Sequence, residues 1–95
     1  MGSGDARRQV QVVVRGRVQG VSFRAWIVTE AEQRAIDGWV RNRADGAVEA
    51  IMAGPTDAID AMIDACREGP ALALVTDVIA LDTTETPDAG FRIRV

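Results

Sequence analysis

The fold is decided by residues 9–53, which read QVQVVVRGRVQGVSFRAWIVTEAEQRAIDGWVRNRADGAVEAIMA. Valines occupy positions 10, 12 and 14, and this repeat of two is typical of a strand with one buried face. We predict that the strand runs from Gln9 to the Arg15-Gly16 pair. Glycine, serine and charged residues dominate residues 1–8, so we expect a disordered tail there and a single domain over residues 9–95.

A helix follows this first strand. The segment Gly16–Val21 has a glycine at each end of its first five residues and leads to Ser22, a residue type that favours helix N-termini. Apolar residues then recur every four positions, which predicts a helix over residues 22–35. They are Phe23, Ile27, Ala31 and Ala35.

A hairpin comes next. Asp45-Gly46, a strong hairpin signal, separates two segments of strand-forming residues at 39–43 and 48–53. The sequence therefore predicts two antiparallel strands joined by the turn at residues 44–47.

The second half of the chain adds one helix and two strands. Gly54-Pro55 opens the helix and Gly69-Pro70 ends it. Its apolar stripe consists of Ile59, Met62, Ile63 and Cys66. Residues 73–83 favour a strand whose inward and outward positions are ambiguous, as in a bulged strand, and Phe91–Val95 predicts a short last strand.

This order of elements is that of a ferredoxin-like α+β sandwich (βαββαβ), an antiparallel sheet with two helices on one face, plus a short C-terminal strand. In that topology the second hairpin strand lies between the first strand and the strand that begins at Gly38. The two outer strands of this trio are parallel and joined by a right-handed crossover. Because their carboxyl ends meet at one edge of the sheet, we expect the Gly16–Val21 loop and Asn42 to lie close together.

Length and composition exclude several classes of protein. The chain has 95 residues, which is one domain rather than a two-domain enzyme. No apolar run approaches the ~20 residues of a membrane span, and no secretory segment opens the chain, so we expect no membrane partner. Cys66 is the only cysteine, which excludes an internal disulfide and suits a reducing cytoplasm.

The charged residues narrow the chemistry further. Histidine is absent, so any catalysis runs without imidazole as base, shuttle or metal ligand. All 11 cations are arginine, against 14 acidic residues, for a net charge of -3. An acidic chain with four aromatic side chains lacks the basic surface and stacking platforms of a nucleic-acid binder.

The Gly16–Val21 loop is a candidate anion site. Its glycines allow backbone N–H groups to turn inward, and it leads to the positive end of a helix, where phosphate or carboxylate would fit. An ordinary connection that uses glycine for its backbone freedom explains the same spacing equally well.

Arg24 strengthens the case for an anion. A cation in the first helical turn opposes the helix dipole by about 0.3–1 kcal/mol unless an anion compensates it. The planar guanidinium can hold two phosphoryl oxygens at once. The alternative is an exposed arginine paired with Glu30 or Glu32, which would contribute little.

Asn42 is the second candidate side chain. Asparagine is depleted in strands, and the alternation places Asn42 beside Val40 on the helix-covered face. Its amide could orient a water molecule, or it could satisfy the hairpin backbone. The remaining unusual residues have structural interpretations: Arg41 and Arg43 as a solvated strand face, and Cys66, Trp26 and Trp39 as packing residues.

Two segments, Gly16–Arg24 (GRVQGVSFR) and Gly38–Glu49 (GWVRNRADGAVE), resemble the signatures of the acylphosphatase family, of the small free-standing bacterial type. The likeness extends over about residues 10–95. It implies hydrolysis of the carboxyl–phosphate bond of acyl phosphates, with Arg24 binding the phosphoryl group and Asn42 orienting the water. It also implies phosphate binding by the loop, at Gly16, Arg17, Val18, Gln19, Gly20 and Val21.

The resemblance also implies partners and cofactors. We expect a small-molecule acyl phosphate as substrate, no metal or organic cofactor, no nucleic-acid or membrane partner, a cytoplasmic location and a monomer. The absence of histidine suits this chemistry, because a carboxylate of pKa about 4 leaves at neutral pH without a general acid. Catalysis of a loose phosphoryl transfer is then mostly positioning and charge stabilisation.

Three alternatives stay open at this point. A noncatalytic anion-binding or regulatory module on the same fold would keep the loop without needing Asn42. An RNA-binding sheet would need exposed aromatic residues, which the first strand and Val48–Ala53 lack. An acylphosphatase-like domain of a larger hydrogenase-maturation protein is the third, although the self-contained length favours a free-standing enzyme.

Overall fold

A computed structural model describes residues 6–95, and its elements follow the predicted order. They are β1 (Arg7–Arg17), α1 (Phe23–Gln33), β2 (Asp37–Asn42), β3 (Val48–Pro55), α2 (Thr56–Glu68), β4 (Leu74–Asp82) and β5 (Phe91–Ile93). The ferredoxin-like α+β fold is confirmed. Within the predicted tail, residues 1–5 lie outside the described residues, and β1 begins two residues ahead of Gln9.

The sheet has the predicted arrangement around its centre. The strand order is β4-β1-β3-β2-β5. Strand β3 pairs antiparallel with both β1 and β2, so β1 and β2 run parallel and end at the same edge. The short β5 pairs in parallel with β2, which makes the complete sheet mixed rather than wholly antiparallel.

The core lies between one face of the sheet and the two helices. On β1 the valines at positions 10, 12 and 14 are buried, while the residues between them are half-buried on the open face. The predicted stripe of α2 is buried along its whole length: Ile59, Met62, Ile63 and Cys66. On α1, Phe23, Ile27 and Ala31 are buried as predicted.

The predicted end of β1 was wrong, and the reason is a bulge in β4. Gly16 and Arg17 continue the strand by pairing with Val75 and Leu74. Thr76 is an extra residue between the Arg15–Asp77 and Gly16–Val75 pairs. The shift returns Val75 to the core face already occupied by Val78 and Ala80, which explains the ambiguous sequence pattern of this strand.

Both ends of α1 also differ from the prediction. Ser22 occupies the N-cap position but has φ 64°, and its hydroxyl makes no capping hydrogen bond. At the other end Ala35 is exposed, with φ 55°, because the helix stops at Gln33 and the chain turns toward β2. The apolar repeat therefore indicated the buried face correctly and overestimated the length.

Candidate active site

The connection between β1 and α1 presents a row of backbone donors. Val18 is buried in the core and Val21 packs against it, so the loop is anchored from below. Gly20 and Ser22 adopt left-handed conformations, with φ 76° and 64°. Within residues 6–95 the N–H groups of residues 19–25 donate no hydrogen bond, the first helical one being Trp26 N–H to Ser22 O at 3.0 Å. Seven consecutive free donors with left-handed residues among them are typical of segments that bind anions, and we call residues 19–25 the cradle.

The predicted phosphate-binding segment is therefore divided between two structures. Gly16 and Arg17 lie in β1, where a Cβ at Gly16 would come within 2.1 Å of the Leu74 carbonyl oxygen. Gly16 is thus required for the close approach of β4. At Gly20 a Cβ would meet open space, so the positive φ alone accounts for glycine there.

Arg24 is half-buried in the first turn of α1 and has no partner among the described residues. Every arginine except Arg17 and Arg24 contacts a carboxylate, a carbonyl oxygen or the Trp39 ring. The alternative pairing with Glu30 is not formed, because Glu30 binds Arg34 at 2.7 Å. A cation beside unpaired N–H groups is a strongly electropositive arrangement.

Asn42 ends β2 on the helix-covered side, two residues after the fully buried Val40. Its Oδ1 is buried and has no hydrogen-bond partner among the described residues. The alternative role in the hairpin is taken by Asp45, whose side chain accepts from Ala47 N–H at 3.1 Å. The amide of Asn42 is therefore available to a water molecule or ligand.

The loop and the end of β2 lie side by side, as the topology predicts. Gln19 links them: its Nε2 donates to the carbonyl oxygens of Arg43, at 2.8 Å, and Ala47, at 2.9 Å. Sequence reasoning placed Gln19 in the loop only for its backbone and missed this side-chain contact. The sequence does not indicate which groups a single glutamine in a glycine-containing loop will bind.

The other charges near Asn42 are paired. Arg41 binds Glu49 at 2.8 Å, and Arg43 binds Asp45 at 3.0 Å. Arg41 is therefore not simply a solvated residue, because it neutralises the Glu49 carboxylate, which is only 7% exposed. Burial by itself would raise the pKa of Glu49, but hydrogen bonds from Gln11 and Arg41 outweigh it and hold the pKa below its ordinary value.

The residues interpreted as packing are confirmed in that role. Trp26 meets Phe23 edge to face at 5.3 Å, and Cys66 is buried in the core. Trp39 lies on the open face, where its Nε1 donates to Glu85 at 3.2 Å and Arg94 stacks 4.5 Å from the ring centroid.

Two further properties concern residues 6–95 only. No three acidic, histidine or cysteine side chains in that range are grouped so that they could hold a metal ion. No helix in the same range has the length and apolar character needed to cross a membrane.

Comparison with known proteins gives one consistent result. The acylphosphatase family model matches residues 10–93. A curated acylphosphatase from Acidiphilium cryptum strain JF-5 is 49% identical over 80 residues, which is 84% of this chain and 88% of the relative. One from Rhizobium meliloti strain 1021 is 49% identical over 89 residues, 92% and 93% of the two chains. The solved acylphosphatase from Coxiella burnetii is similar in structure, with a TM-score of 0.90 and 33% identity over 99% of this chain and 100% of that one.

Proposed function

This chain belongs to the acylphosphatase family, and we propose that Arg24, the loop before it and Asn42 carry out its reaction. The protein hydrolyses the carboxyl–phosphate bond of acyl phosphates, giving a carboxylate and inorganic phosphate. It is therefore an enzyme rather than a noncatalytic module on the same fold.

The phosphoryl group binds in the cradle formed by the N–H groups of residues 19–25. These donors have no acceptor among the described residues, and the positive end of α1 lies among them. Arg24 adds a guanidinium that can hold two phosphoryl oxygens. The dianion in turn offsets the unfavourable placement of a cation in the first turn of α1.

Asn42 orients the attacking water. Its Oδ1 is buried and has no partner in the described part of the chain, so it can accept a hydrogen bond from water without breaking an existing one. Because Gln19 holds the loop against the end of β2, the water and the phosphoryl group are brought to the same edge of the sheet.

The chemical step needs no acid or base from the protein. The water oxygen forms a bond to phosphorus while the bond between phosphorus and the acyl oxygen breaks, and the electron pair leaves with the carboxylate. A proton of the water passes to a phosphoryl oxygen of the substrate. The carboxylate is a good leaving group at neutral pH, since its conjugate acid has a pKa of about 4. Arg24 and the N–H groups stabilise the charge on the phosphoryl oxygens.

The observation that carries this proposal is that, within residues 6–95, Arg24 has no partner and the seven N–H groups of residues 19–25 donate no hydrogen bond. Hydrolysis of benzoyl phosphate, followed by the loss of its absorbance, tests it. We expect Arg24→Lys to lower kcat by about 100-fold, because the single ammonium charge of lysine replaces the bidentate contact of the guanidinium. Arg67→Lys is the matched control, since Arg67 lies on α2 in an exposed pair with Asp64. A near-normal rate for Arg24→Lys would show that the enzyme does not use a bidentate contact between Arg24 and the phosphoryl group.

We also propose that the protein works as a monomer in the cytoplasm on a small-molecule acyl phosphate, with no nucleic-acid partner. The burial of Cys66, its only cysteine, suits a reducing compartment. Light scattering across a range of protein concentrations tests the oligomeric state: a mass that rises with concentration would contradict the proposal.

A further inference from the structure

Gln19 uses both hydrogens of its side-chain amide on the hairpin. Its Nε2 lies 2.8 Å from Arg43 O and 2.9 Å from Ala47 O, and this contact is half-buried. The two carbonyls also accept hydrogen bonds within the turn, from Gly46 N–H at 3.2 Å and Arg43 N–H at 2.8 Å. The glutamine therefore takes up acceptor capacity that the turn itself leaves unused.

This contact joins an anchored segment to a more exposed one. The loop is held by Val18 in the core, whereas Ala44, Asp45 and Gly46 of the hairpin are exposed. The ion pair from Arg15 to Asp45 also crosses between β1 and the hairpin, at 3.3 Å, but both side chains are largely solvated and such pairs contribute little. Gln19 is thus the principal polar link between the phosphate cradle and the strand end that carries Asn42.

We propose that Gln19 is a positioning residue: its side chain sets the place of the Asn42 amide relative to the phosphoryl-binding loop. This inference rests on the proposed roles of Arg24 and Asn42. Arg43, whose carbonyl Gln19 binds, directly follows Asn42, so movement of the hairpin end moves the amide with it. A displacement of about 1 Å between reacting groups costs about 100-fold in rate.

The expected signature is a fall in kcat without a matching loss of phosphate binding. Gln19→Ala removes both donors, so we expect kcat for benzoyl phosphate to fall about tenfold or more, because the attacking water is no longer held in line. Competitive inhibition by inorganic phosphate measures the cradle alone, and its inhibition constant should change by less than about threefold, as for independent sites. Gln19→Met keeps the side-chain length without the donors and serves if the alanine variant folds poorly.

A double-substitution cycle separates positioning from a general structural effect. If Gln19 acts through Asn42, then Gln19→Ala in an Asn42→Ala background should lower kcat by less than about threefold, because the group it positions is gone. Gln11→Ala is the matched control: it deletes the same amide from β1, where it binds Glu49 on the open face, and should leave kcat unchanged.

The possible results distinguish a failure of the proposed role of Gln19 from a failure of the proposed role of Asn42. The positioning role is overturned if the kcat losses of Gln19→Ala and Asn42→Ala multiply in the double variant. It is also overturned if Gln19→Ala weakens phosphate binding as much as it lowers kcat. Either result leaves the proposed function intact. An unchanged kcat in Gln19→Ala would also overturn the positioning role. A normal kcat in Asn42→Ala alone would instead overturn the proposed role of Asn42.

Discussion

Replacing Asn42 by valine should stabilise the fold while abolishing catalysis. Asn42 lies at the end of β2, two residues after the buried Val40, and its amide oxygen is buried without a partner from residues 6–95. A buried acceptor without a partner is unfavourable for folding. Valine fits the strand, removes the unpaired acceptor and cannot orient a water molecule.

The size of the gain follows from the atom that is removed. Leaving a buried acceptor unpaired costs about 1–3 kcal/mol. A solvent molecule bonded to Oδ1 in the free enzyme recovers part of this, so we expect a gain of about 1 kcal/mol from the lower end of that range. For a chain of this length, 1 kcal/mol corresponds to a rise in Tm of about 4–8 °C.

Two measurements on the same sample check this prediction. Urea unfolding should show a higher midpoint with an unchanged m-value, and benzoyl phosphate should be hydrolysed at the background rate. Asn42→Ala is the contrast variant: it also removes the unpaired acceptor but leaves its space unfilled, so its midpoint should lie below that of the valine variant. A valine variant that is less stable than the parent, or one that still hydrolyses substrate at the parent rate, would refute the reasoning.

Three more predictions concern the structure around the site. In the folded protein the pKa of Glu49 lies below its ordinary value of 4.5. The carboxylate therefore stabilises the fold above pH 4.5, and this contribution is lost as the pH falls through the folded pKa. The difference between urea midpoints measured above and below pH 4.5 should be smaller in Glu49→Gln than in the parent. Burial raises the pKa of the Cys66 thiol to about 12, so iodoacetamide should label it in urea but not in the folded protein, as mass spectrometry would show. Gly16→Ala would place a Cβ 2.1 Å from Leu74 O and should lower the free energy of unfolding by more than about 2 kcal/mol, measured by urea titration; equal stability would mean that β4 can move aside.

Local patterns predicted the faces of the elements well. The four-residue repeat of α1 and the stripe of α2 identified the buried residues of both helices, from Phe23 to Cys66. The alternation along β2 placed Asn42 on the same side as Val40, and the Asp-Gly pair located the hairpin turn. Each of these signals lies within a few residues of the feature it predicts, because periodicity and turn preference are local properties of the chain.

Features that depend on a distant segment were predicted poorly. The sequence ended β1 at Gly16, whereas pairing with β4 extends it to Arg17 and requires the bulge at Thr76. Ser22 looked like a side-chain cap and instead contributes a left-handed backbone position within the cradle. The end of β1 follows its partner strand β4, which is more than fifty residues away along the chain.

The candidate site divides in the same way. Residue types and spacing alone placed a cation, a glycine loop and an amide at one edge of a sheet. Tertiary structure decided which of the eleven arginines stay without a partner, which amide oxygen is buried and unpaired, and that Gln19 joins the loop to the hairpin. The physical reason is that a side chain contacts the groups that packing of the core brings close to it. Its neighbours along the chain do not determine which groups those are.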